Sequence, residues 1–261
     1  MIRTPPEVVS LAAPVYFLSD AHLGAPPEEI ASVQRERLEK LFNEVVMKRG
    51  SLVIAGDLFD FWYEWRHVIP KQHFPVLFQL KRLIDQHIPV FYLAGNHDFK
   101  LHGFLDAVIG VRTLRDDLAV KVGDQSVYVF HGDGVLARDH GYRFLKKVLR
   151  NPAAQRAFSW IHPDWGMTLA RGTSKTSRAH ERGGVEDDKD YLAFAQQKFA
   201  EGYTGVVMGH THRPVEHHEG PHTYLNLGDW ITHFTYGLHD GARLSLRHWG
   251  DSGSSQATVG E

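Results

Sequence analysis

The feature that most constrains this chain is a repeated punctuation: short apolar runs that stop on a polar side chain able to hold a metal, most of them beside a glycine. Val15-Tyr16-Phe17-Leu18 ends at Ser19-Asp20, Leu52-Val53-Ile54-Ala55 at Gly56-Asp57, and Pro89 to Leu93 at Gly95-Asn96-His97-Asp98. Val127 to Phe130 runs into His131-Gly132-Asp133, and Gly205 to Met208 into Gly209-His210-Thr211-His212. Short runs rich in β-branched and aromatic residues, bounded in this way, read as buried strands. Helical patterns separate the first three. Val33, Leu38, Leu41, Phe42, Val45 and Val46 mark one face of the first helix, closed by Gly50, and Phe74 to His87 forms the second. Strand–helix alternation implies right-handed crossovers and a largely parallel, buried sheet in an α/β fold.

The rhythm then changes. Leu118 to Val122 and Val127 to Phe130 flank Gly123-Asp124 and predict a hairpin with a tight turn. Asp139 to Gly202 reads as helical and irregular, while Thr223 to Leu227, Thr232 to Leu238 and Leu244 to His248 read as closing strands. The expectation is a single domain over 1–261, with a helical insertion at about 138–202 and a disordered Ser- and Gly-rich tail at 252–261.

Composition removes several functions. With no cysteine the chain has no disulfide, zinc–thiolate site or thiol nucleophile. A net charge of -2 argues against nucleic acid as a partner. The first eleven residues lack a leader-like apolar run, and no stretch approaches the roughly 20 apolar residues of a membrane span. Histidine, in contrast, is abundant at 18 residues, and it is the commonest metal ligand.

In open α/β sheets the carboxyl ends of strands are where sites assemble. Five such ends carry Asp20 and His22, Asp57, Asn96, His131, and His210 with His212. Residues two apart in an extended segment share a side, which pairs Asp20 with His22 and His210 with His212. Asp57, with two carboxylate oxygens, can bridge two cations. Two four-residue sets follow: Asp20, His22, Asp57 and His212 for one ion, and Asp57, Asn96, His131 and His210 for the other. Mixed imidazole and oxygen donors suit manganese, iron or zinc better than calcium. Two divalent ions against two carboxylates leave roughly two positive charges, an excess that draws in a phosphate ester. Such a pair activates water, so no nucleophilic side chain is needed. His97 follows Asn96 and is assigned to the phosphate or leaving group as a proton or hydrogen-bond donor. Asp98 and Asp133 are expected behind the ligands, Asp98 as acceptor for an imidazole N–H.

Singly, these motifs have bland readings. Asp57 can cap a helix, and Asn96-His97-Asp98 can be a turn. The joint pattern of five strand ends is what the bland readings do not explain.

Written in order, Asp20-Ala21-His22, Gly56-Asp57-Leu58-Phe59-Asp60, Gly95-Asn96-His97-Asp98, His131-Gly132-Asp133 and Gly209-His210-Thr211-His212 resemble the signature of the calcineurin-like metallophosphoesterases, from about residue 15 to 215. The resemblance implies a β-sandwich flanked by helices, with manganese as the metal. Within that family the chain is similar to the UDP-2,3-diacylglucosamine hydrolase branch. The similarity rests on Gly56 to Trp62, Asn96 to Phe99, His131 to Asp133 followed by Asp139 and Tyr142, Arg171 and Ser174, Gly209 to Pro214, and Asp229-Trp230. It implies a UDP-linked acylated sugar as substrate, with water attacking the α-phosphorus to give UMP and 2,3-diacylglucosamine 1-phosphate. It also implies a role in lipid A biosynthesis, at the cytoplasmic face of the inner membrane. Better-known members of that branch carry Arg where this chain has His97, and the Asp60 to Trp65 run marks a histidine-bearing relative.

The insertion is dense in apolar residues interspersed with Arg and Lys. Composition alone fits a plain helical cap; the resemblance favours a lid with a groove for acyl chains and a basic rim for a membrane surface. Arg171, Ser174 and Arg178 are then the expected substrate contacts, with Asn96, His97, Asp139 and Tyr142 on the sugar or phosphate side. Two other functions stay open: a soluble phosphodiesterase or nucleotide phosphatase of the same family, and a non-catalytic scaffold. No obligate protein partner is expected.

Overall fold

A computed structural model describes residues 5–25, 27–135, 151–169, 172 and 185–250. Among these, twelve strands form two six-stranded sheets. The first sheet has the order β12-β11-β2-β3-β4-β5. Its strands are β2 (Val15–Leu18), β3 (Ser51–Ile54), β4 (Val90–Leu93), β5 (Arg112–Leu114), β11 (Thr235–His239) and β12 (Leu244–His248). The second has the order β1-β6-β7-β8-β10-β9. It is built from β1 (Glu7–Ser10), β6 (Leu118–Val122), β7 (Gln125–Val129), β8 (Gly205–Met208), β9 (Pro214–Glu219) and β10 (His222–Leu227).

The alternation of side chains along each strand decides the layering. Phe17, Val53, Phe91 and Leu93 from one sheet meet Val120, Val129, Val207 and Leu225 from the other, forming a dry core between them. Tyr16, Leu18, Ile54 and Tyr92 face outward and are covered by α1 (Glu28–Met47) and α2 (Phe74–Asp85). On the far side Tyr128, Phe130, Val206 and Met208 are covered by Tyr191, Ala195 and Phe199 of the helix Val185–Ala200. Strands β2, β3, β4 and β8 are buried on both faces, which explains their continuous apolar runs. The result is a β-sandwich flanked by helices, and not one largely parallel sheet: β2, β3, β4 and β5 run parallel, but β11 lies antiparallel to β2.

The hairpin forms where expected, with Gly123 at a φ of 59° in the turn between β6 and β7. Three short strands escaped the sequence reading: β1, β5 and β9. Each lies at an edge, and β9 (Pro-Val-Glu-His-His-Glu) pairs through its backbone without an apolar face. The face of α1 is as expected from Leu38 to Val46 and departs in its first half. Val33 is exposed, while Ala31 and Gln34 turn inward with Leu38, Leu41, Phe42 and Val45. Within the 138–202 segment, Val185–Ala200 is the helix on the second sheet, and the helices Pro152–Phe158 and 163–169 are also described. The latter two dock through Phe158 and Met167 on a separate aromatic cluster, Phe61, Tyr63 and Trp65. The tail at 252–261 lies outside the described residues.

The architecture positions one edge. The carboxyl ends of parallel β2, β3 and β4 deliver Asp20, Asp57 and Asn96, and those of parallel β7 and β8 deliver His131 and His210.

Candidate metal centre

The backbone at this edge is unusual before any side chain is considered. Asp20, His22, Asp57, His210 and His212 all have positive φ, of 51°, 42°, 54°, 72° and 57°. Non-glycine residues rarely occupy that region, and each instance costs on the order of 1–3 kcal/mol unless surrounding structure enforces it. Five at one strand-end rim indicate a local geometry selected for what the side chains do. Two glycines are required by close approach: a Cβ at Gly95 would sit 2.1 Å from Asp57 Oδ1, and one at Gly209 would sit 2.2 Å from Asp20 Oδ2.

Donor atoms gather in two groups. In the first, His22 Nε2 and His212 Nε2 are 3.0 Å apart, and Asp20 Oδ1 lies 3.7 Å from the former and 3.5 Å from the latter. In the second, Asn96 Oδ1 is 2.8 Å from His131 Nε2 and 3.0 Å from His210 Nδ1. Asp57 Oδ2 stands between them, 3.9 Å from His22 Nε2 and 3.3 Å from His131 Nε2. Asp57 therefore reaches both groups with one oxygen. Its other oxygen accepts from the His97 N–H at 2.9 Å.

This donor set fits cations. Asp20 Oδ1 and Asp57 Oδ2 are buried and have no hydrogen-bond partner, which is costly for a carboxylate unless a positive charge faces it. Two ligands held about 2.1 Å from one ion at a right angle are about 3 Å apart, close to the separations within each group. The Asp20–His22–His212 and Asp20–Asp57–His131 clusters each place their donor atoms within 4.8 Å of one another.

The electrostatics agree. Burial pushes the Asp57 carboxyl up, but the His131 and His97 charges outweigh it and hold Asp57 well below the usual range. Asp20 is likewise lowered against its burial, chiefly by contact with His22. His131 is raised well above an ordinary imidazole despite its burial, because Asp57 touches it. The opposite shifts of His131 and Asp57 favour a charged imidazole beside a charged carboxylate.

Supporting contacts lie behind the donors. His131 Nδ1 pairs with the Ala55 carbonyl at 2.8 Å, and His97 Nδ1 with the Asp60 carbonyl at 2.7 Å. With that bond fixed, His97 presents Nε2 toward the cluster, 3.9 Å from Asp57 Oδ2. Asp98 does not accept from an imidazole. It takes the Asp57 and Gly95 N–H groups at 2.9 and 3.0 Å and the Tyr92 hydroxyl at 2.7 Å, because its short side chain folds back over its own turn. Burial, with the Asp57 charge adding to it, pushes Asp98 up to about 6. Asp133 is buried and acts on His131 through its charge. Asp139, Tyr142, Arg171, Ser174 and Arg178 lie outside the described residues.

Sequence reasoning missed four contributors. Asp60 Oδ1 lies 3.9 Å from His22 Nδ1, and Asp229 Oδ2 lies 3.9 Å from His212 Nδ1. Gly228-Asp229 after β10 repeats the Gly56-Asp57 punctuation and was findable. Gln34 and Asn226, buried amides discussed below, carry no such signal.

Strand-end aspartates and histidines forming two donor groups around one shared carboxylate oxygen, at the rim of a β-sandwich, define a metal-dependent phosphoesterase. The sequence profile described as "Calcineurin-like phosphoesterase" matches residues 13–214, and the chain belongs to that family. It is 27% identical over 256 residues to a protein named UDP-2,3-diacylglucosamine hydrolase from Porphyromonas gingivalis, covering 91% of this chain and 98% of the relative. Proteins of the same name from Nitrosococcus oceani and Pseudomonas fluorescens are 29% and 30% identical, covering 82% and 83% of this chain and 86% and 87% of theirs.

Proposed function

We propose that this protein hydrolyses the pyrophosphate bond of UDP-2,3-diacylglucosamine, releasing UMP and 2,3-diacylglucosamine 1-phosphate. The observation that carries the chemistry is the pair of buried carboxylate oxygens without a hydrogen bond, Asp20 Oδ1 and Asp57 Oδ2, each facing imidazole nitrogens. Support for the substrate is the printed name shared by relatives that align with this chain over most of its length.

In this reading Asp20, His22, Asp57 and His212 hold one divalent cation, and Asp57, Asn96, His131 and His210 hold the other, with manganese the preferred metal. When bound, such a pair lowers the pKa of a coordinated water and offsets phosphoryl charge. The chain does the rest. Asn96 and His212 are the only partly exposed members of the set, so the substrate phosphate enters past them. His97, held by the Asp60 carbonyl, directs Nε2 at the phosphoryl or leaving oxygen. The buried Asp98 locks the Asp57 and Asn96 turns together.

The insertion at about 138–202 is read as a lid over the acyl chains, and the protein as peripheral on a membrane's cytoplasmic face. Trp160 and Trp165 support this, being 86% and 75% exposed, with Leu169 also exposed. Among the described residues no helix is long and apolar enough to cross a membrane.

The test is a product assay in ¹⁸O water with the acylated substrate and Mn²⁺. Label in UMP is expected. Label only in the sugar phosphate would move the attack to the other phosphorus, and no release of UMP would reject the substrate. Faster turnover of water-soluble diesters than of the acylated sugar would favour a soluble phosphodiesterase instead.

A further inference from the structure

Each of the two ligand pairs spaced by one residue has a buried carboxamide at its back. Between Asp20 and His22, both in the left-handed region, the Ala21 carbonyl points away from the site and accepts from Gln34 Nε2. The same Nε2 donates to the Trp230 carbonyl at 3.0 Å. That carbonyl belongs to the loop carrying Asp229, which approaches His212. Gln34 is fully buried on α1, a position that otherwise takes apolar residues. Around His210 and His212, also left-handed, Asn226 Nδ2 donates to the Gly209 carbonyl at 3.0 Å and to Thr211 Oγ1 at 2.9 Å. Its Oδ1 accepts from Gly228 N–H at 3.2 Å, which fixes the direction of the amide.

The two arrangements share one physical logic. A strained pair of residues stays strained only if neighbouring groups over-determine the backbone. A carboxamide can bind two acceptors at once through its NH₂ group, and it brings no charge. A lysine or arginine in either place would oppose cation binding, and an aspartate would repel the carbonyls.

We propose that Gln34 and Asn226 are positioning residues that hold the Asp20–His22 and His210–His212 pairs in metal-binding geometry. Gln34 acts from a helix otherwise remote from the chemistry. The proposal rests on the ligand assignment given above.

The test compares Gln34→Met and Asn226→Leu, which keep volume and remove the donors, with two controls. Leu83→Ala truncates the apolar core under α2 and lowers stability without touching either pair. Asp20→Ala removes a ligand outright. Mn²⁺ affinity and stoichiometry are measured by calorimetry, the coupling of the two ions by electron paramagnetic resonance, and thermal midpoints on metal-free protein. Gln34→Met is expected to weaken the ion held by Asp20 and His22 by about 10–100-fold, the usual loss for a group that orients a ligand, and Asn226→Leu, whose histidine pair is divided between the two ions, to weaken both by a similar factor. Leu83→Ala should keep wild-type affinity at an equal or larger loss of melting temperature. If Gln34→Met or Asn226→Leu gives no folded metal-free protein, Gln34→Thr or Asn226→Ser is the milder change at the same position and carries the same expectation. Carboxamide variants that bind both ions like the wild type, while Asp20→Ala does not, would overturn the positioning roles alone. Wild-type binding by Asp20→Ala would overturn the ligand assignment beneath them.

Discussion

His97 is next to Asn96 in sequence, yet its ring packs edge-on against His22, with centroids 4.7 Å apart. Its Nδ1 is committed to a backbone carbonyl and its Nε2 is aimed at the shared carboxylate, so it can serve the substrate without holding a metal. His97→Ala is expected to retain two Mn²⁺ ions by calorimetry while kcat falls about 10²–10⁴-fold. Unchanged turnover with metal retained would remove His97 from the reaction. A second histidine tests stability. His239 is buried, accepts from Gly241 N–H at Nδ1 and pairs with Gln125 Oε1 at 3.0 Å through Nε2, an arrangement that requires the neutral ring. Burial lowers its pKa. The stabilisation it brings is therefore complete above the unfolded value near 6.5 and is lost as pH falls below it toward the folded pKa. His239→Gln can make both bonds at any pH. Denaturant midpoints of the metal-free proteins at pH 7.5 and 5 should show a smaller acid loss in the variant, and an equal loss in both would refute the assignment.

The element that the sequence described least well is the insertion. Its docking depends on residues that are far apart in the chain. Tyr63 donates its hydroxyl to the Gln155 carbonyl at 2.5 Å, Trp65 Nε1 donates to the Ile161 carbonyl at 3.1 Å, and Phe158 packs edge-on against Tyr63. The Trp62 to Trp65 run thus has a structural use beyond marking a branch of the family. Glu64 accepts from Trp62 Nε1 at 3.2 Å and takes the N–H groups of Phe104 and Leu105 at the start of a short π-helix. Phe158→Ala removes a half-buried ring that packs on this buried aromatic cluster and should cost up to about 3 kcal/mol of docking, the low end for a buried phenylalanine. Limited proteolysis is the measurement: cleavage within 151–169 should accelerate while Mn²⁺ affinity stays at wild type. Loss of metal binding in this variant would show that the insertion and the centre are one cooperative unit.

For the whole molecule, the centre is a cluster of buried charge that is balanced either by protons on imidazole or by metal. Because His131 is held well above an ordinary imidazole, protons compete with cations, and metal binding releases them. Affinity for Mn²⁺ is expected to fall as pH drops. Calorimetry in buffers of different ionisation enthalpy will count the protons released, and a buffer-independent heat would contradict the scheme. Chelation should lower the thermal midpoint, since a ligand at about 100 times its Kd adds about 2.7 kcal/mol to the folded state.

What the sequence determined on its own was local. Apolar runs of four or five residues dictated β2, β3, β4, β7 and β8, and the polar residues ending them were readable as ligands because few other reasons place Asp, Asn and His together at strand ends. The inward turn of Gln34 was illegible, since one polar residue on a helix face carries no periodic signal, and β9 was illegible because an edge strand needs no apolar face. The family resemblance already implied a β-sandwich, where strand–helix alternation alone read as one parallel sheet; the tertiary structure decided how the two sheets bring their carboxyl ends to a common rim. Strand pairing and sheet packing are contacts between segments distant in the chain, so Asp57 Oδ2 meets His22 and His131 through topology that spacing along the polymer does not encode.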